Sequence, residues 1–225
     1  MGPWDMQRIT EPELMNDAAQ SLAYAHADFD DPHNMFIQIF KETFPGIDVS
    51  GHILDLGCGP ADISIRFAQS YPDCEIDGLD GAPRMLAYGK LAIQKAQLQD
   101  RIHLLEGVLP VAGLPRDNYD VIISNSLLHH LHEPDVMWQS IQQFGHSGSR
   151  VFIMDLMRPK SEDLAKELVD LYARSEPQVL REDFYHSLCA AFLPEEIHSQ
   201  LAFAGLSYLE VKIVSDRHVL VFGIL

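Results

Sequence analysis

The chain has 225 residues, enough for one large domain, and 47% of them are apolar, enough for a substantial core. Its formal net charge is −17, which argues against a nucleic-acid partner, because phosphates call for a basic face and no Lys/Arg cluster interrupts the acidic balance. No apolar run approaches membrane-spanning length and the first residues lack a basic, apolar leader, so neither a membrane segment nor a secretory signal is expected. Met6 stands where the myristoylation pattern that starts at Met1-Gly2 requires Ser or Thr. Cys58, Cys74 and Cys189 are odd in number and form no Cys-x-x-Cys pair, so they read as free thiols in a reducing, cytoplasmic setting.

In chain order, residues 1–50 read as helical. Glu11-Pro12-Glu13 marks one start, with Leu14, Ala18, Leu22 and Ala25 at helical spacing, and Asp31-Pro32 a second, with Asp31 as N-cap. Met35, Phe36, Ile39 and Phe40 form the second stripe, which Pro45-Gly46 ends. From residue 51 strands and helices alternate. Strands are expected at Gly51 to Leu56, Glu75 to Asp80, Ile102 to Glu106, Tyr119 to Asn125 and Val151 to Asp155, with helices from Asp62, after Pro83 and after Pro134. Such alternation predicts a parallel sheet wound on both faces by right-handed crossovers. Residues 156–193 are again mostly helical, with Ser161 as an N-cap, and a last helix opens at Pro194 and ends at Gly205. Two strands, Tyr208 to Val214 and His218 to Ile224, share a short connection and so pair antiparallel at the sheet edge.

The centre of this pattern is Ile53-Leu54-Asp55-Leu56-Gly57-Cys58-Gly59-Pro60-Ala61-Asp62, a buried strand that breaks in a glycine turn and restarts as a helix. A strand, turn and helix of this kind form the crevice where α/β folds hold nucleotide-like ligands. A dinucleotide fingerprint requires a third glycine at position 62, where Asp62 would face the pyrophosphate. A ligand with a ribose, no phosphates and a positive charge fits better: Asp80 lies at ribose-acid spacing, and Asp55 suits a cationic end, or else forms a turn by bonding its own backbone. S-adenosylmethionine is a ligand of that description.

Four motifs in order then carry a resemblance: Asp55 to Ala61, with Ala61 for a last glycine; Gly78-Leu79-Asp80-Gly81-Ala82-Pro83-Arg84-Met85-Leu86; Tyr119-Asp120 to Asn125-Ser126-Leu127-Leu128-His129-His130-Leu131; and Phe192-Leu193-Pro194-Glu195-Glu196 followed by Ala204-Gly205-Leu206. In these the chain resembles a class I S-adenosylmethionine-dependent methyltransferase of the small-molecule type, similar to the ubiquinone and menaquinone methyltransferases, well over residues 50–158 and loosely over 192–225. The resemblance implies an α/β fold with a doubly wound, mostly parallel, seven-stranded, Rossmann-like sheet and an antiparallel C-terminal strand. One domain over residues 1–225 is expected, with the two helical stretches that the alternating fold does not require, the cap segments at 1–45 and 158–193, forming a lid. Asp80 would hold the ribose hydroxyls. Gly57, Cys58 and Gly59 would let the methionine and ribose approach the backbone. Gly81 and Met85 would line the adenine, and Asn125 and Ser126 would lie near the methionine end. Where the family usually places an aspartate for the adenine amino group, this chain has Gly107-Val108, which leaves packing by Val108 and acceptance by backbone groups or Glu106.

Methyl transfer from a sulfonium is an in-line displacement that positioning can accelerate, so a catalytic base is needed only if the acceptor must shed a proton. The candidates are His129, His130, Tyr185 and His186. No metal site is expected, because His129-His130, with His132 nearby, lacks a cysteine or carboxylate cluster at ligand spacing. Asn125-Ser126-Leu127-Leu128 is not the Asn-Pro-Pro-aromatic sequence tied to amide or nucleobase amino methylation. A small-molecule acceptor is therefore expected, with no nucleic acid and no membrane, on a monomer or homodimer. The competing expectations are a non-catalytic S-adenosylmethionine sensor and an NAD-dependent dehydrogenase.

Overall fold

The computed structural model describes residues 6–27, 29–111 and 113–225. Met1-Gly2 and the rest of residues 1–5, Asp28 and Ala112 lie outside the described residues.

Seven strands form one sheet: β1 (Gly51–Leu56), β2 (Cys74–Asp80), β3 (Ile102–Glu106), β4 (Tyr119–Asn125), β5 (Gly145–Leu156), β6 (Glu210–Ile213) and β7 (His218–Ile224). Their spatial order is β3-β2-β1-β4-β5-β7-β6. The first five are parallel, and β7 runs antiparallel between β5 and β6. The doubly wound, mostly parallel sheet is as expected, with a refinement: the antiparallel hairpin occupies the edge, but its second strand is the inner one. The order of strand addition reverses between β1 and β4, so the crevice at their carboxyl ends is the fold's ligand position.

The near-continuous apolar runs arise because the sheet is covered on both faces. Leu54, Leu56, Ile122, Val151, Ile153, Val219 and Val221 pack on one side with Trp138, Ile141, Ile197 and Leu201. Their strand neighbours Ile53, Val121, Ile123, Phe152, Met154 and Leu220 pack on the other with Phe36, Phe40 and Phe67. The first side is covered by α5 (Asp135–Phe144) and α8 (Pro194–Phe203). The second is covered by α2 (Asp30–Thr43), α3 (Asp62–Ser70) and α4 (Pro83–Ala96). Edge-on aromatic contacts tie that second side together: Phe36 to Phe152, Phe40 to Phe67 and Phe40 to Phe152, at 4.9–5.2 Å between centroids. Such pairs contribute about 0.5–1.5 kcal/mol each beyond their buried area.

The helical stretches depart from the periodic reading at their ends. The first helix, α1 (Ala18–His26), starts seven residues after Glu11, because Asp17 accepts from the backbone N–H groups of Ala19 and Gln20 and so supplies the N-cap. Residues 6–14 are irregular and serve as a strap. Asp31 is not an N-cap but lies in the first turn of α2, beside Asp30, where both acids meet the helix dipole. Ser161 caps α6 (Glu162–Tyr172) through Leu164 N–H, as expected. After it comes α7 (Gln178–Ala190), and Leu156, Ala165, Leu168, Val169 and Leu188 give α6 and α7 a small core of their own over the carboxyl end of β5. β5 starts six residues before the expected Val151, because Gly145 to Arg150 continues the ladder past a register shift opposite Tyr119 and Val121. β6 is shorter than expected.

Candidate active site

Between β1 and α3 the backbone turns through three left-handed residues: Gly57 at φ +72°, Gly59 at +51° and Ala61 at +66°. A side chain on Gly57 would press on Leu127, so this position requires glycine for space as well as for its angle. Asp80, at the end of β2, holds the turn. One carboxylate oxygen accepts Gly59 N–H at 2.8 Å, and the other accepts Ala82 N–H at 2.7 Å. Burial pushes the Asp80 carboxyl up, and these two bonds oppose it. Beneath the turn Asp55 is 1% exposed and accepts from Ser64 Oγ at 2.5 Å. Burial pushes its carboxyl up to about 7, against the bond from Ser64. Cys58 is buried beside Gly78, and burial pushes its thiol up, away from reactivity. Asp62, at the edge of the crevice, accepts from Arg66 Nε at 2.7 Å and meets His33 Nδ1 at 2.5 Å, which ties α2 to α3.

After β4 the chain passes through Ser126, also left-handed at φ +59°, into a short 3-10 turn at Leu128–His130. Asp155, near the end of β5, organises that turn: Oδ2 accepts Leu128 N–H at 2.7 Å, and Oδ1 accepts Leu156 N–H at 2.7 Å and bonds His129 Nδ1 at 2.6 Å. Burial pushes the His129 imidazole down, but Asp155 and Glu11 outweigh it and hold it above its ordinary value. Burial and the neighbouring His129 push His130 down to about 3. The strap crosses above. Arg8 donates to the carbonyls of Ala190, His129 and Leu131 at 2.6–3.0 Å, and Ile9 N–H donates to Cys189 O. Glu13 accepts His132 N–H at 2.8 Å, and Glu11 accepts from Ser187 Oγ at 3.0 Å.

Two adjoining cavities result. The smaller, about 130 Å³, lies over the glycine turn and includes Asp55, Gly57, Asp80, Met85 and Val108. The larger, about 350 Å³, lies under α7 and includes Phe29, Met154, Leu180, Asp183, Phe184 and Arg217. Met15, Tyr24, His33, Asn125, Ser126 and His130 line both. The crevice over the glycine turn thus shares a wall with a second, larger chamber.

The profile of the methyltransferase-domain family matches residues 47–205, more than half of the chain. The chain belongs to the methyltransferase-domain family. Among curated proteins, ribosomal RNA small subunit methyltransferase C of Shewanella denitrificans is 31% identical over 81 residues, 36% of this chain and 22% of that protein. Trans-aconitate 2-methyltransferase of Mycobacterium tuberculosis is 31% identical over 84 residues, 37% of this chain and 29% of that protein. The chain thus spans well under half the length of these curated relatives. Among solved structures, a SAM dependent methyltransferase from Aquifex aeolicus shares the fold at a TM-score of 0.65 with 16% identity, over 90% of this chain and 96% of that one.

In this methyltransferase domain, Asp55, Gly57, Cys58, Gly59, Asp80, Gly81, Met85, Gly107, Val108, Asn125 and Ser126 all line the smaller cavity. Glu106, the alternative partner for an adenine, is exposed and does not line it. His129 and His130 reach the larger cavity, and His130 faces both. Tyr185 packs instead into the small core of α6 and α7, and His186 is exposed, so neither lines a cavity. Their neighbours Asp183, Phe184 and Ser187 are the residues of that stretch that do, one helical face away. Sequence reading also missed Glu11, His33, Arg217 and His218. All four come from segments outside the alternating pattern, and no local spacing ties them to the turn. Arg158 is buried, donating to Ala191 O and pairing with Glu196, so it braces the sheet end.

Proposed function

We propose that this domain transfers a methyl group from S-adenosylmethionine to a small-molecule acceptor by in-line displacement. The observation that carries the reading is the pair of cavities that meet along Asn125, Ser126 and His130. The donor would occupy the smaller one. Asp80, whose oxygens each accept one backbone N–H and keep a further lone pair, would take the ribose hydroxyls. Gly81, Met85 and Val108 would enclose the adenine, with backbone groups rather than an acid to read its amino group. Asp55 would face the cationic end. The methyl group then points along the shared wall into the larger chamber, where the protein's contribution is alignment of nucleophile, carbon and sulfur. The strap, α1 and α7 would exclude water as the lid of a single domain. His130 is the candidate placed to take a proton from an acceptor. His129, wedged between Asp155 and Glu11, positions the turn.

A chamber of about 350 Å³ suits a metabolite-sized acceptor. The acidic charge of −17 leaves a ribose-phosphate backbone without a basic track, so we assign no nucleic-acid substrate. Among the described residues no helix is long and apolar enough to cross a membrane, and all three cysteines are buried free thiols. A cytoplasmic monomer or homodimer fits both.

Calorimetry checks the donor and a metabolite screen checks the reaction. S-adenosylhomocysteine binds and NAD does not, and radiolabelled methyl passes from donor to at least one metabolite in a pool. Binding of NAD in place of the homocysteine would instead mark a dehydrogenase, and donor binding with repeated absence of turnover a sensor.

Asp55 gives this reading a pH signature. Its carboxyl, held near 7 by burial, is protonated below that value and offers a sulfonium nothing. Above it, the carboxylate faces a positive charge. Affinity for S-adenosylmethionine therefore rises by about tenfold from pH 6 to 8, about 1.4 kcal/mol or one pKa unit of coupling, and affinity for the neutral-sulfur product rises less. Asp55→Asn abolishes the difference. Parallel pH profiles for the two ligands would remove Asp55 from the sulfonium's surroundings. The sign for the empty protein is the reverse: an acid whose folded pKa is raised costs stability as pH climbs from about 4 to about 7.

A further inference from the structure

The strap brings a carboxylate from the start of the chain to the pair of histidines. Glu11 Oε1 lies 3.5 Å from His129 Nε2 and 3.2 Å from His130 Nδ1. One donor atom from each of the three residues lies within 4.8 Å of the others. Around an ion with bonds of about 2.0–2.1 Å, tetrahedral neighbours sit about 3.3–3.4 Å apart, and both measured edges are close to that value.

The arrangement is poorly explained by hydrogen bonding alone. His130 Nδ1 is buried with no hydrogen-bond partner. His129 Nδ1 is engaged by Asp155, so in the neutral ring its Nε2 turns a lone pair toward an oxygen of Glu11. An imidazole fixed by a carboxylate on its far nitrogen is also how proteins hold a metal-binding histidine. The surrounding charge is suitable. Glu11 and Asp155 bring two carboxylates, and the opposing cation is Arg8, whose guanidinium is spent on the carbonyls of Ala190, His129 and Leu131.

We propose that Glu11, His129 and His130 bind a divalent transition-metal ion of the zinc class. Two imidazoles and one carboxylate favour Zn²⁺, Co²⁺ or Ni²⁺ over Mg²⁺ and Ca²⁺, which select oxygen. Three protein ligands leave a fourth tetrahedral position for water or for a heteroatom of a molecule in the larger chamber, which both histidines line. The site itself stands without the methyl-transfer reading. Its use, to hold an acceptor through an oxygen, nitrogen or sulfur atom beside the donor, rests on that reading. His130 is then a ligand, and the ion takes over the task of acidifying the acceptor.

The rival occupant of the gap is a proton, with an imidazolium at His129 bridging Asp155 and Glu11. Full-length protein without a tag, stripped with chelator, separates the two when titrated with Zn²⁺ and Co²⁺ by calorimetry and visible spectroscopy. One equivalent binds, Co²⁺ develops a ligand-field spectrum, and affinity falls by about 100-fold or more in Glu11→Gln and in His130→Ala. His198→Ala, on the exposed side of α8, binds as wild type. Absence of binding by the wild type, or equal binding by Glu11→Gln, overturns the site in favour of the proton. Glu11 sits on the irregular strap, so this variant decides the matter even if His130→Ala fails to fold. Titrating S-adenosylhomocysteine into the same samples keeps the two readings apart: S-adenosylhomocysteine binding without metal binding sinks the metal site alone, and metal binding without S-adenosylhomocysteine binding sinks the donor assignment alone.

Discussion

Asp155→Ala lowers the stability of the folded chain by about 3–5 kcal/mol, the usual cost of removing one partner from a buried, hydrogen-bonded charge pair. The carboxylate is 2% exposed and serves Leu128 N–H, Leu156 N–H and His129 Nδ1 together. Its loss strands two buried backbone donors and one imidazole. The ionic share of this effect depends on pH. The folded His129 titrates above its ordinary value, so that share is complete below about pH 6.5 and fades as pH rises through the folded value. Urea denaturation at several pH values measures both parts, with a wild-type advantage that narrows toward alkaline pH and keeps a remainder from the backbone donors. A loss below about 1 kcal/mol would mean that the 3-10 turn stands without Asp155.

The second large effect is on binding. Asp80→Ala weakens S-adenosylhomocysteine by about 1–3 kcal/mol, or roughly 5- to 150-fold, the scale of lost and unpaired hydrogen bonds. Two contributions add. The ribose hydroxyls lose their acceptor, and Gly59 N–H loses the oxygen that fixes the turn. Comparing adenosine with adenine separates them: a variant that discriminates against the riboside but keeps adenine affinity has lost the ribose contact, while equal weakening of both reports a loosened turn. Affinity within twofold of wild type would refute the ribose role.

The sheet and its turn were legible in the sequence because they rest on short-range rules. β1, β3, β4 and β7 begin and end at the expected residues, and α3 begins at its expected one, since short apolar runs, a glycine turn and proline starts act within a few positions. The lining of the smaller cavity was legible for the same reason, as Asp55 to Gly59, Asp80 to Met85 and Asn125-Ser126 are contiguous in three loops. The larger chamber was not. Its walls depend on which face of α7 turns inward, and the sequence 183–186 offered Tyr185 and His186 as readily as Asp183 and Phe184. Only the seating of α7 in the folded chain decides between them: Asp183 and Phe184 line the chamber, and Tyr185 and His186 do not. Glu11 was hidden for a different reason. It was read as a helix start, but Asp17 captured that role by capping α1, which left residues 6–14 free to cross to the histidines.

The larger chamber is walled by three lengths of chain, from Met15 to His33, from Tyr172 to Ser187, and at Arg217 and His218, in addition to the ends of β4 and β5. None of those three is contiguous with the glycine turn, and the first and last lie outside the family match at residues 47–205. A substitution in any of them can resize or recharge the chamber without moving an atom of the backbone that Asp80 secures. Apart from Met15, Tyr24 and His33, which line both cavities, these residues face the larger chamber alone. On the proposed reading, a substitution at that rim would change the acceptor while leaving the glycine turn that would hold the donor as it is.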